Sequence, residues 1–163
     1  MEYPLGRPSL RLPTYDYAQP GGYFVTICSQ DRLCLFGHIE QGELQLNAAG
    51  RMVVEIWTSL PQRFPHTSLD AFVVMPNHVH GVVVIQEERA GQGLGQIVGA
   101  FKSLATNRYI AGVRQLAWSP FPGRLWQDNY FEHIIRNEAE LKRIRDYIAA
   151  NPLQWERDPE RPI

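Results

Sequence analysis

Residues 70–86 read DAFVVMPNHVHGVVVIQ, and this stretch decides the fold. Two segments rich in β-branched residues, 70–75 and 78–86, are separated only by Pro76 and Asn77, which are residues typical of turns. A connection this short joins antiparallel neighbours. We therefore expect these two strands to lie at the centre of an antiparallel sheet.

Further strands and helices surround this hairpin in the sequence. Aromatic and β-branched residues predict strands at 22–29, 34–39, 43–46 and 130–135, the middle two forming a small hairpin. Apolar residues at helical spacing predict helices from the cap Asn47 to a stop at Pro61, over 97–109, and from 137 to Pro152. Without the small hairpin and the last helix the order is βαββαβ. That order predicts an α+β, ferredoxin-like (RRM-like) antiparallel sheet with helices on one face, to which the hairpin and the C-terminal helix are additions.

The composition is that of one globular domain. Of the 163 residues, 44% are hydrophobic and 20% are charged, which favours a packed core over a disordered chain. We expect a single domain over residues 1–163. No apolar run approaches the ~18 residues that a membrane span needs, and residues 1–20 lack the basic and apolar layout of a secretory signal. These features predict a protein of the cytoplasm that has no membrane partner.

Positive charge is concentrated late in the chain, although the formal net charge is only −1. Residues 101–145 contain eight Lys or Arg residues against four Asp or Glu residues, a local excess of +4. Solvated helix faces are the more common cause of such an excess, and a surface that binds a polyanion is the alternative that the charge permits. The candidate contacts to a nucleic-acid backbone are Lys102, Arg108, Arg136 and Lys142. Trp126 and Tyr130 are candidates to stack on bases, with a place in the core as the alternative.

His78, Val79 and His80 form the sharpest local motif. Side chains two residues apart on a strand lie on the same face, so the two imidazoles should point together while Val79 faces the core. Such a pair can hold one metal ion, but a pair of hydrogen-bonded histidines has the same pattern. The motif therefore needs further ligands before it indicates a metal site.

The last predicted helix offers those groups. Arg143, Tyr147 and Asn151 follow one another at intervals of four, which places them along one edge of the helix. Asn151 offers an amide oxygen as a ligand, Tyr147 a phenol that can act as a nucleophile, and Arg143 a positive charge for a phosphate. A helix-end asparagine, a tyrosine at the margin of the core and a solvated arginine are the ordinary alternatives.

Two other enzyme classes fit poorly. Residues 95–103, GQIVGAFKS, end in Lys-Ser, but a phosphate-binding P-loop needs glycine before that lysine, and Phe101 stands there. The histidine-triad nucleotide hydrolases would need a further histidine where Val82 stands.

The sequence resembles the REP-associated tyrosine transposases, within the HUH single-tyrosine transposases related to insertion-sequence enzymes. The segments that carry the resemblance are YFVT (23–26), LDAFVVMPNHVHG (69–81), FKS (101–103), LWQ (125–127), YFEH (130–133), YI (147–148) and NP (151–152). The resemblance implies that His78 and His80 are the HUH metal pair, that Tyr147 is the nucleophile, and that Asn151 takes the place of the third metal ligand. Other branches of the family have glutamine there, whose side chain is one methylene longer.

The resemblance also implies an activity. Such an enzyme cleaves and rejoins single-stranded DNA, alone or beside a hairpin, through a 5′-phosphotyrosine and a free 3′-OH, with Mg²⁺ or Mn²⁺ as the cofactor. It would work in the cytoplasm on the nucleoid. A catalytically silent, domesticated DNA-binding module of the same fold is the main alternative, and a metal-dependent nucleotide hydrolase is a third. The sequence leaves both a monomer and a homodimer open.

Overall fold

The computed structural model describes residues 19–162. The strands are β1 (Gly21–Cys28), β2 (Gly37–Glu40), β3 (Glu43–Leu46), β4 (Thr67–Met75), β5 (His78–Ile85) and β6 (Phe131–Ile135). The helices are α1 (Ala48–Arg63), α2 (Leu94–Leu116) and α3 (Glu138–Ala150), with 3₁₀ turns at Gln30–Arg32 and Pro152–Arg157. Most of residues 1–20, where we noted no secretory signal, lie outside the described residues, as does residue 163. The single domain over residues 1–163 stays a prediction.

The main sheet has the ferredoxin-like order that the sequence predicts. Its four strands lie in the order β4, β5, β1, β6, and every neighbouring pair is antiparallel. β2 and β3 form a separate two-stranded sheet, as expected of the small hairpin. The prediction of an α+β antiparallel sheet is therefore confirmed. β5 occupies one of its two central positions, but β4 lies at an edge of the sheet, so the expectation that both strands of this hairpin are central is wrong for β4.

One face of the sheet is covered by α1 and α2. Val79, Val83 and Ile85 of β5 contribute to the core there. Gly81 lies between them because no larger residue fits: a Cβ atom at this position would come within 2.3 Å of the Trp57 ring of α1. The odd-numbered side chains of β5 therefore point into this core, and Val79 lies where alternation predicts.

The opposite face is covered by α3. Phe24 and Val82 of the sheet form a second buried cluster with Ile144 and Ile148 of the helix. An ion pair between Arg145 of α3 and Asp70 of β4 lies beside this cluster. Two nitrogens of the guanidinium, Nε and Nη2, each donate a hydrogen bond of 2.7 Å to one carboxylate oxygen. The extra helix therefore packs on the other face of the sheet from α1 and α2, where it covers the even-numbered side chains of β5.

Three predicted helix boundaries are wrong. Pro61 does not end α1, which continues to Arg63. Proline costs one helical hydrogen bond, but three residues later the N–H of Phe64 still reaches the carbonyl of Leu60 at 2.8 Å. α2 runs from 94 to 116 and not only over 97–109; it begins after Gly93 and ends where Ala117 adopts a left-handed conformation with φ of 58°.

Among residues 19–162, the structure contains no helix that combines the length and the apolar character needed to cross a bilayer.

Candidate functional site

The two histidines of β5 meet beneath α3. Both side chains are fully buried, and their Nε2 atoms are 3.0 Å apart. The phenyl ring of Phe24 on β1 stacks against His80, with ring centroids 5.6 Å apart, and closes the site on the sheet side. The structure therefore brings the imidazoles together on the face opposite the α1–α2 core.

The tautomer of His78 follows from its neighbour Asn77. The Nδ2 group of Asn77 donates to the carbonyls of Arg32 (3.2 Å) and Glu160 (2.6 Å), which leaves its Oδ1 atom facing Nδ1 of His78 at 2.7 Å. An amide oxygen only accepts, so Nδ1 of His78 carries the proton. The lone pair of His78 Nε2 is then directed into the site, which is the state that a metal ligand requires.

Thr26 orients the second imidazole. It lies opposite His80 on β1, and its hydroxyl is 2.8 Å from Nδ1 of His80. With His78 Nε2 unprotonated, the 3.0 Å contact requires His80 Nε2 to carry the proton, and the Thr26 hydroxyl then donates to Nδ1. Because a hydroxyl both donates and accepts, Thr26 can also hold the other tautomer, in which Nε2 of His80 is free to bind a metal.

Tyr147 and Asn151 approach the histidines from α3 of the same chain. The Tyr147 ring lies 5.4 Å from the His80 ring between centroids, in an edge-on orientation. The Asn151 side chain, 2% exposed, lies within interaction range of His78 and Tyr147. Its Oδ1 atom is buried without a hydrogen-bond partner among the described residues. The spacing of four that the sequence shows on α3 thus places both groups over the histidines.

Asp158 joins this group, and the sequence interpretation missed it. Its Oδ2 atom lies 3.6 Å from Nε2 of His78, and the ligand atoms of His78, His80 and Asp158 are all within 4.8 Å of one another. Asp158 follows the 3₁₀ turn that comes after α3, so it belongs to no periodic pattern. An acidic residue seven positions after a candidate ligand is too common a feature to have indicated this position.

Burial shifts the pKa of every ionisable group in the site toward its neutral form. It lowers the pKa of His78 to about 3, an effect that Asn151 partly opposes. Burial and the neighbouring His78 hold the pKa of His80 well below its ordinary value. Burial also raises the pKa of Tyr147, and it raises the pKa of Asp158 to about 6. At neutral pH the imidazoles are uncharged and the phenol keeps its proton.

These residues fit a divalent cation. Oδ1 of Asn151 and Oδ2 of Asp158 are buried with no hydrogen-bond partner among the described residues, which is costly unless something else satisfies them. Oδ2 of Asp158 lies 3.6 Å from Nε2 of His78, and the Asn151 side chain interacts with the same histidine. Two imidazole nitrogens with an amide oxygen and a carboxylate oxygen form a donor set that Mg²⁺, Mn²⁺ and related ions accept.

The basic residues predicted to bind DNA do not all lie near this site. The Lys102 ammonium donates to the carbonyls of Gln127 (2.7 Å) and Asp128 (3.1 Å) and is half-buried. Arg108 pairs with Glu55 at 3.2 Å in the α1–α2 layer, across the sheet from the histidines. The structure therefore gives Lys102 a structural role and places Arg108 away from the site.

The remaining cations lie on the α3 side of the sheet. Arg136 precedes α3, and Lys142 and Arg143 lie on its exposed face. Lys142 pairs with Asp146 at 2.9 Å. Trp126 is 4% exposed and packs between Phe36 and Phe101, so its place in the core is confirmed and base stacking by it is excluded.

Comparisons with known proteins show what this chain is similar to. The family model described as "Transposase IS200 like" matches residues 52–151. An uncharacterized protein of Haemophilus influenzae is 38% identical over 170 residues, covering 93% of this chain and 91% of its own length. A second protein of that organism, named for the REP-associated tyrosine transposases, is 24% identical over 142 residues, covering 85% of this chain and 74% of its own.

Two solved structures share the fold. One is a REP-associated tyrosine transposase bound to a REP hairpin, with a TM-score of 0.62 and 20% identity, covering 89% of this chain and 74% of that one. The other is a Deinococcus radiodurans crystal structure described as a transposase, with a TM-score of 0.52 and 18% identity, covering 86% of this chain and 95% of that one.

Proposed function

Because this chain belongs to the IS200-like transposase family, we propose that it cleaves and rejoins single-stranded DNA with Tyr147 as its nucleophile. The observation that carries the proposal is the convergence of two elements on one face of the sheet. β5 supplies His78 and His80, and α3 supplies Tyr147, whose ring lies 5.4 Å from that of His80. A nucleophile beside a candidate metal pair is what phosphoryl transfer requires.

His78, His80 and Asn151 are the proposed metal ligands. The tautomer of His78, fixed by Asn77, already presents a lone pair, and the Thr26 hydroxyl allows His80 to do the same. A divalent cation bound there, Mg²⁺ or Mn²⁺, supplies positive charge next to the phenol and the phosphate. That charge is needed because burial raises the pKa of Tyr147 and so disfavours the phenolate that attacks.

The proposed reaction conserves the phosphodiester. The Tyr147 hydroxyl loses its proton, its oxygen forms a bond to phosphorus, and the bond from phosphorus to the 3′ oxygen breaks. The products are a 5′-phosphotyrosine and a 3′-hydroxyl that has taken up a proton. A later 3′-hydroxyl can reverse the step, so strand joining needs no ATP.

The proposed substrate is single-stranded DNA, alone or beside a hairpin. The fold neighbour bound to a REP hairpin supports a structured DNA partner. Of the predicted DNA contacts, Arg136, Lys142 and Arg143 keep that role in the proposal, since they lie on the α3 side. An unpaired strand exposes its backbone to a small site more readily than a duplex does. Because Tyr147 faces the histidines of its own chain, we infer that one chain can form a complete site, whether the protein is a monomer or a homodimer. We also propose that it works in the cytoplasm on the nucleoid and that residues 1–163 act as a single domain.

Covalent capture of DNA tests this proposal. The protein is incubated with a fluorescent single strand that carries a hairpin, in Mn²⁺ or Mg²⁺, and analysed on a denaturing gel. We expect a labelled protein band that Tyr147→Phe abolishes. Tyr130→Phe is the matched control and should retain the band, because that tyrosine precedes β6 and packs against the α1–α2 core, on the other face of the sheet from the histidines. An undiminished adduct in Tyr147→Phe would show that the nucleophile is another residue.

A silent DNA-binding module remains the second candidate. The observation that favours it is the burial of Tyr147, whose raised pKa makes the phenol unreactive without help. This function predicts salt-sensitive DNA binding that survives chelation and gives no adduct with any metal.

A further inference from the structure

We propose that Asp158 is a fourth protein ligand of the cation held by His78, His80 and Asn151, so that the segment after α3 completes the site. This inference rests on the proposed metal site. It extends that proposal by adding a carboxylate ligand to the two imidazoles and the amide. The distance that carries it is 3.6 Å, from Asp158 Oδ2 to His78 Nε2.

The carboxylate is held in a ligating orientation. Oδ1 of Asp158 accepts a hydrogen bond of 2.9 Å from the backbone N–H of Glu160, which turns Oδ2 toward the histidines. The side chain is 2% exposed, and Oδ2 has no hydrogen-bond partner among the described residues. A buried carboxylate oxygen without a partner is expensive, and a cation at this point would remove the cost. Metal-binding carboxylates are commonly held in this way by a second hydrogen bond.

The backbone around Asp158 is fixed to the residues that orient His78. Nδ2 of Asn77 donates to the carbonyl of Glu160 at 2.6 Å, while Oδ1 of the same amide accepts from His78. The guanidinium of Arg32 donates to the carbonyl of Pro159 at 3.2 Å and pairs with the Glu160 carboxylate at 3.5 Å. Residues 158–160 are therefore placed against the site by contacts that do not involve a metal.

Trp155 closes the same side of the site. Its ring stacks on that of His78, with centroids 6.4 Å apart and an angle of 21° between the planes, and it is 9% exposed. A cation bound by these residues would therefore lie between the sheet, α3 and the following segment. The carboxylate adds one negative charge to an otherwise neutral ligand set, which strengthens binding of hard divalent cations.

Binding of Mn²⁺ to the full-length protein, without DNA, tests this inference. Asp158→Asn keeps the size of the side chain and the acceptor for Glu160 but removes the charge. We expect titration calorimetry to show that its Mn²⁺ affinity is ~10-fold to ~100-fold weaker than that of wild type. Glu156→Gln is the matched control, because it removes a charge from the same segment at an exposed residue that pairs with Arg161. Its affinity should stay within about twofold of wild type, since it leaves all four proposed ligands in place.

Thermal unfolding separates a ligand from a structural residue. If Asp158 is a ligand, metal-free Asp158→Asn should be at least as stable as wild type, and its stabilisation by Mn²⁺ should be much smaller. A variant that loses metal-free stability but keeps the full Mn²⁺ shift would overturn the inference, as would unchanged affinity in Asp158→Asn. Wild type that binds no Mn²⁺ would overturn it too. The proposed reaction is judged separately, by whether Tyr147→Phe abolishes the DNA adduct.

Discussion

Lowering the pH of the metal-free protein should destabilise wild type more than His78→Ala, because wild type alone buries the His78 imidazole. Burial lowers the pKa of His78 to about 3 in the folded protein, against 6.5 when the chain is unfolded. The stability that comes from this neutral imidazole is therefore fully present above pH 6.5 and is lost as the pH falls toward 3. The alanine variant lacks that dependence.

The magnitude follows from the two pKa values. At about pH 5 the imidazole is protonated in the unfolded chain and still neutral in the folded protein. This pH lies ~1.5 units below the pKa of the unfolded chain, and each unit is worth ~1.4 kcal/mol, so protonation favours the unfolded state by about 2 kcal/mol. The difference in unfolding free energy between wild type and His78→Ala should thus shrink by about 2 kcal/mol between about pH 7.5 and about pH 5. Burial also raises the pKa of Asp158, which acts in the opposite direction in both proteins.

Urea denaturation followed by tryptophan fluorescence, with a chelator present, measures this difference. His38→Ala is a useful control, because it removes a histidine that is exposed on the β2–β3 hairpin, outside the site. Comparing the two variants separates the effect of the buried imidazole from the loss of a histidine as such. Parallel curves for wild type and His78→Ala over the same range would refute the claim that the folded site keeps His78 neutral.

Three further predictions concern the second imidazole, the core and the DNA. Thr26→Val keeps the shape of the side chain but removes the hydroxyl that contacts His80, so Mn²⁺ affinity measured by calorimetry should fall by about tenfold while the fold is retained. Gly81→Ala places a Cβ atom 2.3 Å from the Trp57 ring and should lower the free energy of unfolding in urea, by about 1–3 kcal/mol. Arg143→Ala should reduce the slope of log affinity against log salt for a single strand by about 0.7 in fluorescence anisotropy, and an unchanged slope would exclude a phosphate contact.

The fold was predictable because its signals are local. Alternation along β5 placed Val79 in one core and the two histidines on the other face, and the short turn at 76–77 fixed the antiparallel pairing with β4. Spacing along α3 likewise placed Tyr147 and Asn151 on one edge. The helix boundaries were less predictable, since a proline in the last turn of α1 removes one hydrogen bond without ending the helix.

The contributions from distant parts of the chain were not predictable. Asp158 reaches His78 only because the chain turns back after α3 and is held there by Asn77 and Arg32. A turn of this kind leaves no periodic pattern in the sequence. Charge counting does not give the position of a cation, for a similar reason. Arg108 belongs to the basic third of the chain, yet its helix packs on the face of the sheet away from the histidines.

Asn77 connects these local and distant features. As the second residue of the turn between β4 and β5, it helps set the register that places His78 and His80 beneath α3. Its Oδ1 atom fixes the tautomer of His78, and its Nδ2 group holds the segment that carries Asp158. A buried amide that makes three hydrogen bonds cannot be replaced without leaving at least one partner unsatisfied. The orientation of the imidazole and the position of the carboxylate therefore depend on one side chain, which preorganises both groups of the proposed metal site.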